Sequence, residues 1–460
     1  MFSRPRREDE SLMQRPIRPE RVLAGGFLLT IAVGTLLLAL PQAACTGKSI
    51  GLFDSLFTAT SAVCVTGLVA VDTGTTFSMF GQVVLMLLIE LGGLGFMIFA
   101  TLIMIALGRR ISLKSRMLIR ESMNTATLSG LVKLTRWYGL MAVSIELCGA
   151  ALLAIRFVPL LGWPRGLFYS LFHSVSAFCH AGFDLFGNYY SLTSFREDPL
   201  VLLTVSMLIV LGGLGFSVVL EVISRHRRWR LLSLQAKVVL SVSGGLLIFG
   251  TVCFALMEWN NPATLAADGA GAGSRLLNAF FQSVTMRTAG FNSIDLAAMT
   301  DASKLVSVLL MFVGASPAST GGGVKTTTMS VLILIVLSVV RGQEHVTIFG
   351  RRLPSDLVRR ALAILFITMS VLLAGTVALT LLENDRLPFI DILFETASAV
   401  ATVGVSTVGT PSLHPVSQTV LIPMMFFGRV GPLTMALAMA NRQRVEKDPV
   451  KYPEEKIMIG

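Results

Sequence analysis

Four stretches of this chain are strongly apolar, about a dozen residues long and too short to cross a bilayer, and they are copies of one another. They read DSLFTATSAVCVTGL (54–68), YSLFHSVSAFCHAGF (169–183), LNAFFQSVTMRTAGF (277–291) and DILFETASAVATVGV (391–405). Aligned on Gly67, Gly182, Gly290 and Gly404, each carries a phenylalanine ten positions earlier: Phe57, Phe172, Phe280 and Phe394. Their apolar parts, 51–63, 166–178, 275–286 and 389–400, each lie between two longer apolar runs of spanning length. Those runs fall at 22–41 and 80–107, 137–158 and 199–223, 234–258 and 303–340, and 357–382 and 416–440. The unit recurs roughly every 112 residues, so the chain reads as a fourfold repeat of helix, short re-entrant helix, loop and helix.

Composition agrees with a bilayer as solvent. Hydrophobic residues make up 53% and charged residues 14%, with mean hydropathy +0.73. A soluble domain carries about 25% charge. A disordered chain, a secreted disulfide scaffold and an ordinary cytosolic enzyme are excluded on this ground. The five cysteines (45, 64, 148, 179 and 253) form no CxxC pair, so neither a zinc site nor a disulfide framework is expected. The net charge of +11 gathers in 1–22, 108–136, 224–237, 341–360 and 441–460, between paired apolar runs. That is the positive-inside pattern, with anionic lipid and not nucleic acid as the counter-surface. It places both termini in the cytoplasm. The first apolar run follows a long charged tail (Arg4 to Arg21) without a small-residue cleavage site, so it reads as a membrane helix.

The expected organisation is an all-α polytopic membrane protein with four pseudo-symmetric repeats around one central pore. Residues 1–21 form a cytoplasmic tail and 22–107 the first pore repeat. Residues 108–223 hold a cytoplasmic linker and the second repeat, and 224–340 the third, with a loop inside the membrane. Residues 341–440 form the fourth repeat and 441–460 a cytoplasmic tail.

Backbone at mid-membrane depth must line water or be buried in protein. Four such loops around one axis offer rings of carbonyl oxygens that replace an ion's hydration shell. Glycine reaches positive φ without steric cost, which lets successive carbonyls face one way. Each short helix aims its partially negative C-terminus at the axis, which favours a cation. The loops hold no acidic ring, which argues against a divalent cation, and an anion pore would want Lys or Arg there.

Two further segments stand out. GASPASTGGGVKTTT (314–328) interrupts the long apolar run of the third repeat, where Pro317 and Gly321–Gly323 should break the helix into a loop. It is not a phosphate-binding loop, since Lys325 does not directly follow a glycine. Arg429, in FFGRVGP, is a costly intramembrane charge, and the corresponding part of the first two repeats reads LGGLGF with no charge. Glu90 and Glu146 also lie within spans; they hydrogen-bond to neighbouring helices or, in a coupled transporter, bind a proton or sodium.

At these residues the chain resembles the Ktr/Trk/HKT superfamily of potassium transporters, most closely the bacterial Ktr-type (KtrB-like) membrane subunits. The matching stretches are VTGLVAVDTG (65–74), AGF (181–183), RTAGFNS (287–293), ATVG (401–404), both copies of LGGLGF (91–96 and 211–216), GRVGPLT (428–434) and YPEEKIMIG (452–460). The resemblance implies a potassium selectivity filter formed by Val65, Thr66 and Gly67, by Ala181 and Gly182, by Ala289 and Gly290, and by Val403 and Gly404. It makes the interrupted segment an intramembrane gating loop carrying Gly314, Ser316, Ser319, Thr320, Gly321, Gly322, Gly323 and Lys325. Arg429 would project beside that loop as a barrier to cations. Arg287 would support the filter from behind, with Glu395 of the neighbouring repeat as candidate partner. Glycine in all four loops goes with potassium, whereas serine in the first loop goes with sodium in some plant members.

The resemblance further implies a homodimer in the cell inner (plasma) membrane, seated on a cytosolic ring of nucleotide-binding (RCK-type) regulatory subunits. The candidate contacts are 109–136, 341–360 and the C-terminal tail. Potassium is the transported ion, sodium as an activator is left open, and no organic cofactor, enzymatic activity or nucleic-acid partner is expected. One departure is Cys179-His180 in the second loop, where related sequences usually have two asparagines. His180 reads as a neutral imidazole packed behind the filter, with a pH-sensitive conductance as the competing reading, and His173 reads as structural. A sodium- or proton-coupled symporter and a sodium-permeable member of the superfamily are the functional alternatives.

Overall fold

The computed structural model describes residues 19–95, 98–99, 101–102, 105, 131–225, 228–343, 345–384 and 386–439. The expectations for the N-terminal tail, most of the basic segment 109–136 and the C-terminal tail lie outside those residues.

Each repeat opens with a long helix: α1 (Pro19–Leu38), α5 (Leu131–Leu161), α9 (Leu234–Glu258) and α13 (Ser355–Glu383). These four are long and apolar enough to cross a membrane. Their outer faces carry bare apolar side chains, such as Leu29, Leu147, Phe249 and Phe366. On a soluble surface these would be a liability; here they face lipid. Each long helix is followed by a short one: α2 (Leu52–Val63), α6 (Trp163–Phe178), α10 (Ala272–Thr285) and α14 (Phe389–Ala401). Glycines at φ +95° (Gly51) and +83° (Gly162) reverse the chain into α2 and α6. The short helices are the buried centre of the molecule, with Phe57, Phe172 and Phe394 at most 1% exposed.

A turn helix α3 (Thr73–Thr76) precedes α4 (Met79–Leu94), the inner helix of the first repeat. The other inner helices are α7 (Pro199–Leu214), α11 (Asp301–Phe312) and α15 (Pro415–Val430). All four begin at a side-chain cap: Ser78, Asp198, Thr300 and His414 accept from backbone N–H groups one turn on. Three of these caps are anchored to the long helix of the same repeat. Arg156 pairs with Asp198 at 2.5 Å, while Glu258 Oε1 accepts from Thr300 N (2.9 Å) and Glu383 Oε1 accepts from His414 N (3.0 Å).

The structure corrects one expectation about the inner helices. The runs 80–107, 199–223 and 416–440 read as continuous spans, yet they break at Gly95, Gly215 and Gly431, with φ of +84°, +88° and +94°. α7 turns by 98° into α8 (Phe216–Ser224), and α15 gives way to α16 (Pro432–Met439). In the third repeat the break is the whole segment between α11 and α12 (Thr326–Val340), as its Pro and Gly content suggests. The two copies of LGGLGF have a packing reason. A Cβ at Gly92 would collide with the carbonyl of Val63, one at Gly212 with that of Phe178, and one at Gly428 with that of Val400. In three repeats, then, a glycine lets the inner helix lie directly against the C-terminal end of a short helix. Between α12 and α13 lies a two-stranded antiparallel hairpin, β1 (Thr347–Ile348) and β2 (Arg351–Arg352), turned by Phe349 and Gly350 at positive φ.

Candidate functional site

The four short helices end at one axis, and the loops after them close a ring. A Cβ on Gly67 would meet the carbonyl of Ala181. One on Gly182 would meet Gly290 Cα at 2.6 Å, and one on Gly290 would meet Val403 O at 2.7 Å. One on Gly404 would meet the carbonyl of Thr66, which returns to the first loop. Each glycine therefore abuts the next repeat's loop, and a side chain at any of them would press on neighbouring backbone. All four are left-handed, with φ of +94°, +68°, +86° and +90°.

Two positions before each glycine stands a second left-handed residue: Val65 (+54°), His180 (+63°), Thr288 (+70°) and Thr402 (+53°). Such alternation rotates successive peptide planes so that their carbonyls turn to one side. Holding β-branched Val and Thr there costs of order 1–3 kcal/mol each, stabilised by the surrounding packing. All four residues are buried to 1% or less. The sequence marks Val65 as a filter residue and His180 as packed behind the filter, but it passed over Thr288 and Thr402, and over the left-handed backbone at all four, because Val and Thr signal extended backbone. It also passed over the hydroxyls that fix the loops. Ser61 Oγ accepts from Gly67 N and Ser398 Oγ from Gly404 N, both at 3.0 Å. Ser176 Oγ donates to Phe183 O (2.7 Å) and Thr285 Oγ1 to Phe291 O (2.5 Å). The aligned sequences hold the signal: a serine six residues before the glycine in three of the four.

The third loop is out of phase. Thr66, Ala181 and Val403 donate to carbonyls five residues back, whereas Ala289 donates to Thr285, four back. Accordingly Phe281, and not the aligned Phe280, is the fully buried phenylalanine of α10.

The ring separates two cavities. One, of about 460 Å³, touches all four glycines and is lined by Asp72, Asp184 and Asp295. Burial pushes the Asp184 carboxyl up to about 7, against the opposing effect of a hydrogen bond from Phe186 N. The other cavity, of about 410 Å³, is lined by Gly93, Ser319, Gly321, Gly323, Lys325 and Arg429. The two faces thus carry opposite charge.

The interrupted segment closes under the ring. Gly314 and Ser316 begin it, and Gly321 and Gly322 nestle against Thr288 and Thr402, which would clash with any Cβ there. Ser316 N and Thr320 N donate to the carbonyls of Gly213 (3.0 Å) and Gly212 (3.2 Å), and Ser319 Oγ donates to Ser316 O. Lys325 Nζ donates to Gly321 O at 2.7 Å. The Arg429 guanidinium donates to the carbonyls of Thr320, Gly92 and Gly93, the last at 2.9 Å. It bridges the segment to the first repeat's inner helix at its break.

The expected pairing of Arg287 with Glu395 is not made. Arg287 Nη2 donates to Ser243 Oγ in α9 at 3.3 Å, and its Nε has no protein partner. Glu395 accepts from Thr410 Oγ1 at 2.7 Å. Each holds to its own repeat: Arg287, just beyond the end of α10, to α9, and Glu395, in α14, to Thr410. Glu90 and Glu146, read separately from sequence, converge with Cys179, their ligand-type atoms all within 4.8 Å of one another. The thiol donates to Glu90 Oε2 (3.4 Å) and Glu146 Oε1 (3.8 Å). His173 is structural in its contacts: Nδ1 donates to Tyr169 O (2.7 Å), Nε2 accepts from Leu185 N (3.3 Å), and the ring packs on Phe157 and Phe186.

Fold and site together define a polytopic α-helical membrane protein of four pore-loop repeats around a single axis. The chain belongs to the TrkH cation transport protein family, whose model matches residues 28–447. It is 42% identical over 442 residues to the Ktr system potassium uptake protein B of Bacillus subtilis, covering 96% of this chain and 97% of that protein. It is 38% identical over 450 residues to the potassium/sodium uptake protein NtpJ of Enterococcus hirae, covering 97% and 98%. The crystal structure of the potassium transporter TrkH from Vibrio parahaemolyticus superposes with a TM-score of 0.69 over 95% of this chain and 87% of that one, at 17% identity, which speaks for the fold.

Proposed function

We propose that this chain is the ion-conducting subunit of a Ktr-type potassium uptake system. The observation that carries the reading is the closed ring of Gly67, Gly182, Gly290 and Gly404 between an acidic and a basic cavity. Potassium enters from the acidic mouth, which faces outward. It exchanges water for the carbonyls of Val65, Thr66, Ala181, Ala289 and Val403 and of the four glycines. Passage is passive, down the electrochemical gradient. Below the ring, residues 314–325 and Arg429 form the gate: the segment fills the path and the guanidinium repels cations.

Both termini face the cytoplasm of the cell that carries the protein in its plasma membrane. Two copies sit on a nucleotide-binding regulatory ring, which contacts the basic segment 109–136, the region 341–360 and the C-terminal tail. This accords with the relatives named as parts of a Ktr system and with a chain that carries no ATP motif. The test is growth. Expressed with a Ktr-type regulatory subunit in cells lacking potassium uptake, the chain restores growth at low potassium. Sodium entering the cells in fixed proportion to potassium would favour the second reading, sodium-coupled uptake, which the Glu90–Glu146–Cys179 cluster and the NtpJ relative support.

Asp184 gives this reading a pH signature. Its carboxyl is raised by burial to about 7, so it is neutral below that pH and anionic above it. The mouth loses one negative charge as outer pH falls through about 7, and the apparent affinity for external potassium weakens. In Asp184→Asn the affinity is already weak and flat across that range. Flux titrations at several outer pH values check this; an unchanged profile in the variant contradicts it.

A further inference from the structure

His180 occupies the left-handed position below Gly182, where the other three loops have Val65, Thr288 and Thr402. It is the one of the four whose side chain reaches both a neighbouring loop and an inner helix through hydrogen bonds. Nε2 lies 2.7 Å from the carbonyl of Ile209, and Nδ1 lies 3.0 Å from both the hydroxyl and the carbonyl of Thr288. Both nitrogens lie near a carbonyl, which only accepts; in a neutral ring the proton sits on Nε2, whose carbonyl contact is the shorter at 2.7 Å, and Nδ1 accepts from the Thr288 hydroxyl. The ring therefore ties the second loop to the third on one side and to α7 on the other. Ile209 lies one turn before Gly212 and Gly213, whose carbonyls hold Thr320 N and Ser316 N of the intramembrane segment. The ring also packs on Gly213, where a Cβ would come within 3.0 Å of the imidazole; Gly212 and Gly321 are held closer by the Phe178 carbonyl and the Thr288 hydroxyl.

We propose that His180 is a positioning residue with two separable tasks: its Nδ1 contact to Thr288 sets the ion selectivity of the ring, and its Nε2 contact to Ile209 holds the intramembrane segment closed. The proposal rests on the reading of the ring as a potassium filter and of 314–325 as its gate, and names the group that connects them. Asparagine and glutamine divide the imidazole's tasks. The amide of Asn sits where Nδ1 is and keeps the Thr288 contact, while the longer Gln places its amide nitrogen where Nε2 is and keeps the Ile209 contact.

The experiment uses full-length protein purified into liposomes. It measures potassium and sodium flux for the wild type, His180→Asn, His180→Gln and His180→Ala, and takes the monodisperse elution of each as the check on folding. His180→Asn keeps wild-type selectivity and raises basal flux several-fold, up to about tenfold, the range that loss of one hydrogen bond gives. His180→Gln keeps basal flux low and loses selectivity by a similar factor. His180→Ala, where it folds, loses both, and the Asn and Gln pair decides without it. Asn and Gln variants that behave alike, in a potassium-selective wild type, overturn this proposal alone. A wild type that does not prefer potassium overturns the filter reading and this proposal with it.

Discussion

Replacing Gly67 with serine lowers the preference for potassium over sodium by roughly tenfold or more, a change of at least about 1.4 kcal/mol in relative passage. The residue sits at φ +94°, where an L-side chain costs of order 1–2 kcal/mol, and its new Cβ points at the carbonyl of Ala181 in the neighbouring loop. The ring cannot absorb the added atoms locally, because each glycine abuts the next repeat. The carbonyls of two loops shift together, and the proposed filter loses the spacing that replaces the hydration shell of potassium. The hydrogen bond from the backbone N–H of residue 67 to Ser61 Oγ remains available, so the loop folds and the defect is one of selectivity. Flux ratios or reversal potentials in mixed gradients measure it, and an unchanged ratio would remove the first loop from the filter.

Arg429→Ala raises flux in the closed state by up to about a hundredfold. Two like unit charges about 5 Å apart in an effective dielectric near 20 repel by about 3 kcal/mol, the scale of barrier a guanidinium beside a passing cation sets. The same substitution frees the carbonyls of Thr320, Gly92 and Gly93, so the intramembrane segment loses its tie to the first repeat. Charge and tether act together here, and Arg429→Lys separates them: it keeps the charge but not the forked contacts, and falls between wild type and Ala. Efflux from potassium-loaded vesicles without the regulatory subunit reads the effect. Wild-type leak in both variants would place the gate elsewhere.

The fourfold plan was legible because the repeated pieces are apolar yet too short to span, which few soluble or membrane elements are. The glycines were legible because they recur at one place in each copy. The breaks at Gly95 and Gly215 were not, since LGGLGF reads as uninterrupted apolar helix; only the approach of Gly92 and Gly212 to short-helix carbonyls shows its purpose. The left-handed Val65, Thr288 and Thr402 ran against their own backbone preferences, and tertiary packing overrode propensity there. Phe280 misled by one residue because the third loop is bonded one residue shorter, so alignment on glycine put the wrong phenylalanine in the core. Arg287 and Glu395 were matched by charge and repeat neighbourhood, but linear sequence does not say which neighbour each side chain reaches, and they turn to Ser243 and Thr410. The convergence of Glu90, Glu146 and Cys179 joins three distant segments, which repeat spacing alone does not bring together.

In the proposed filter, four glycine loops around one axis select potassium. The most direct test is the relative flux of potassium, rubidium and sodium through the wild-type protein in liposomes, with its regulatory subunit bound. Potassium and rubidium are expected to pass at similar rates, and sodium at least about tenfold more slowly, a difference of about 1.4 kcal/mol. Sodium passing as fast as potassium through the intact ring would contradict it.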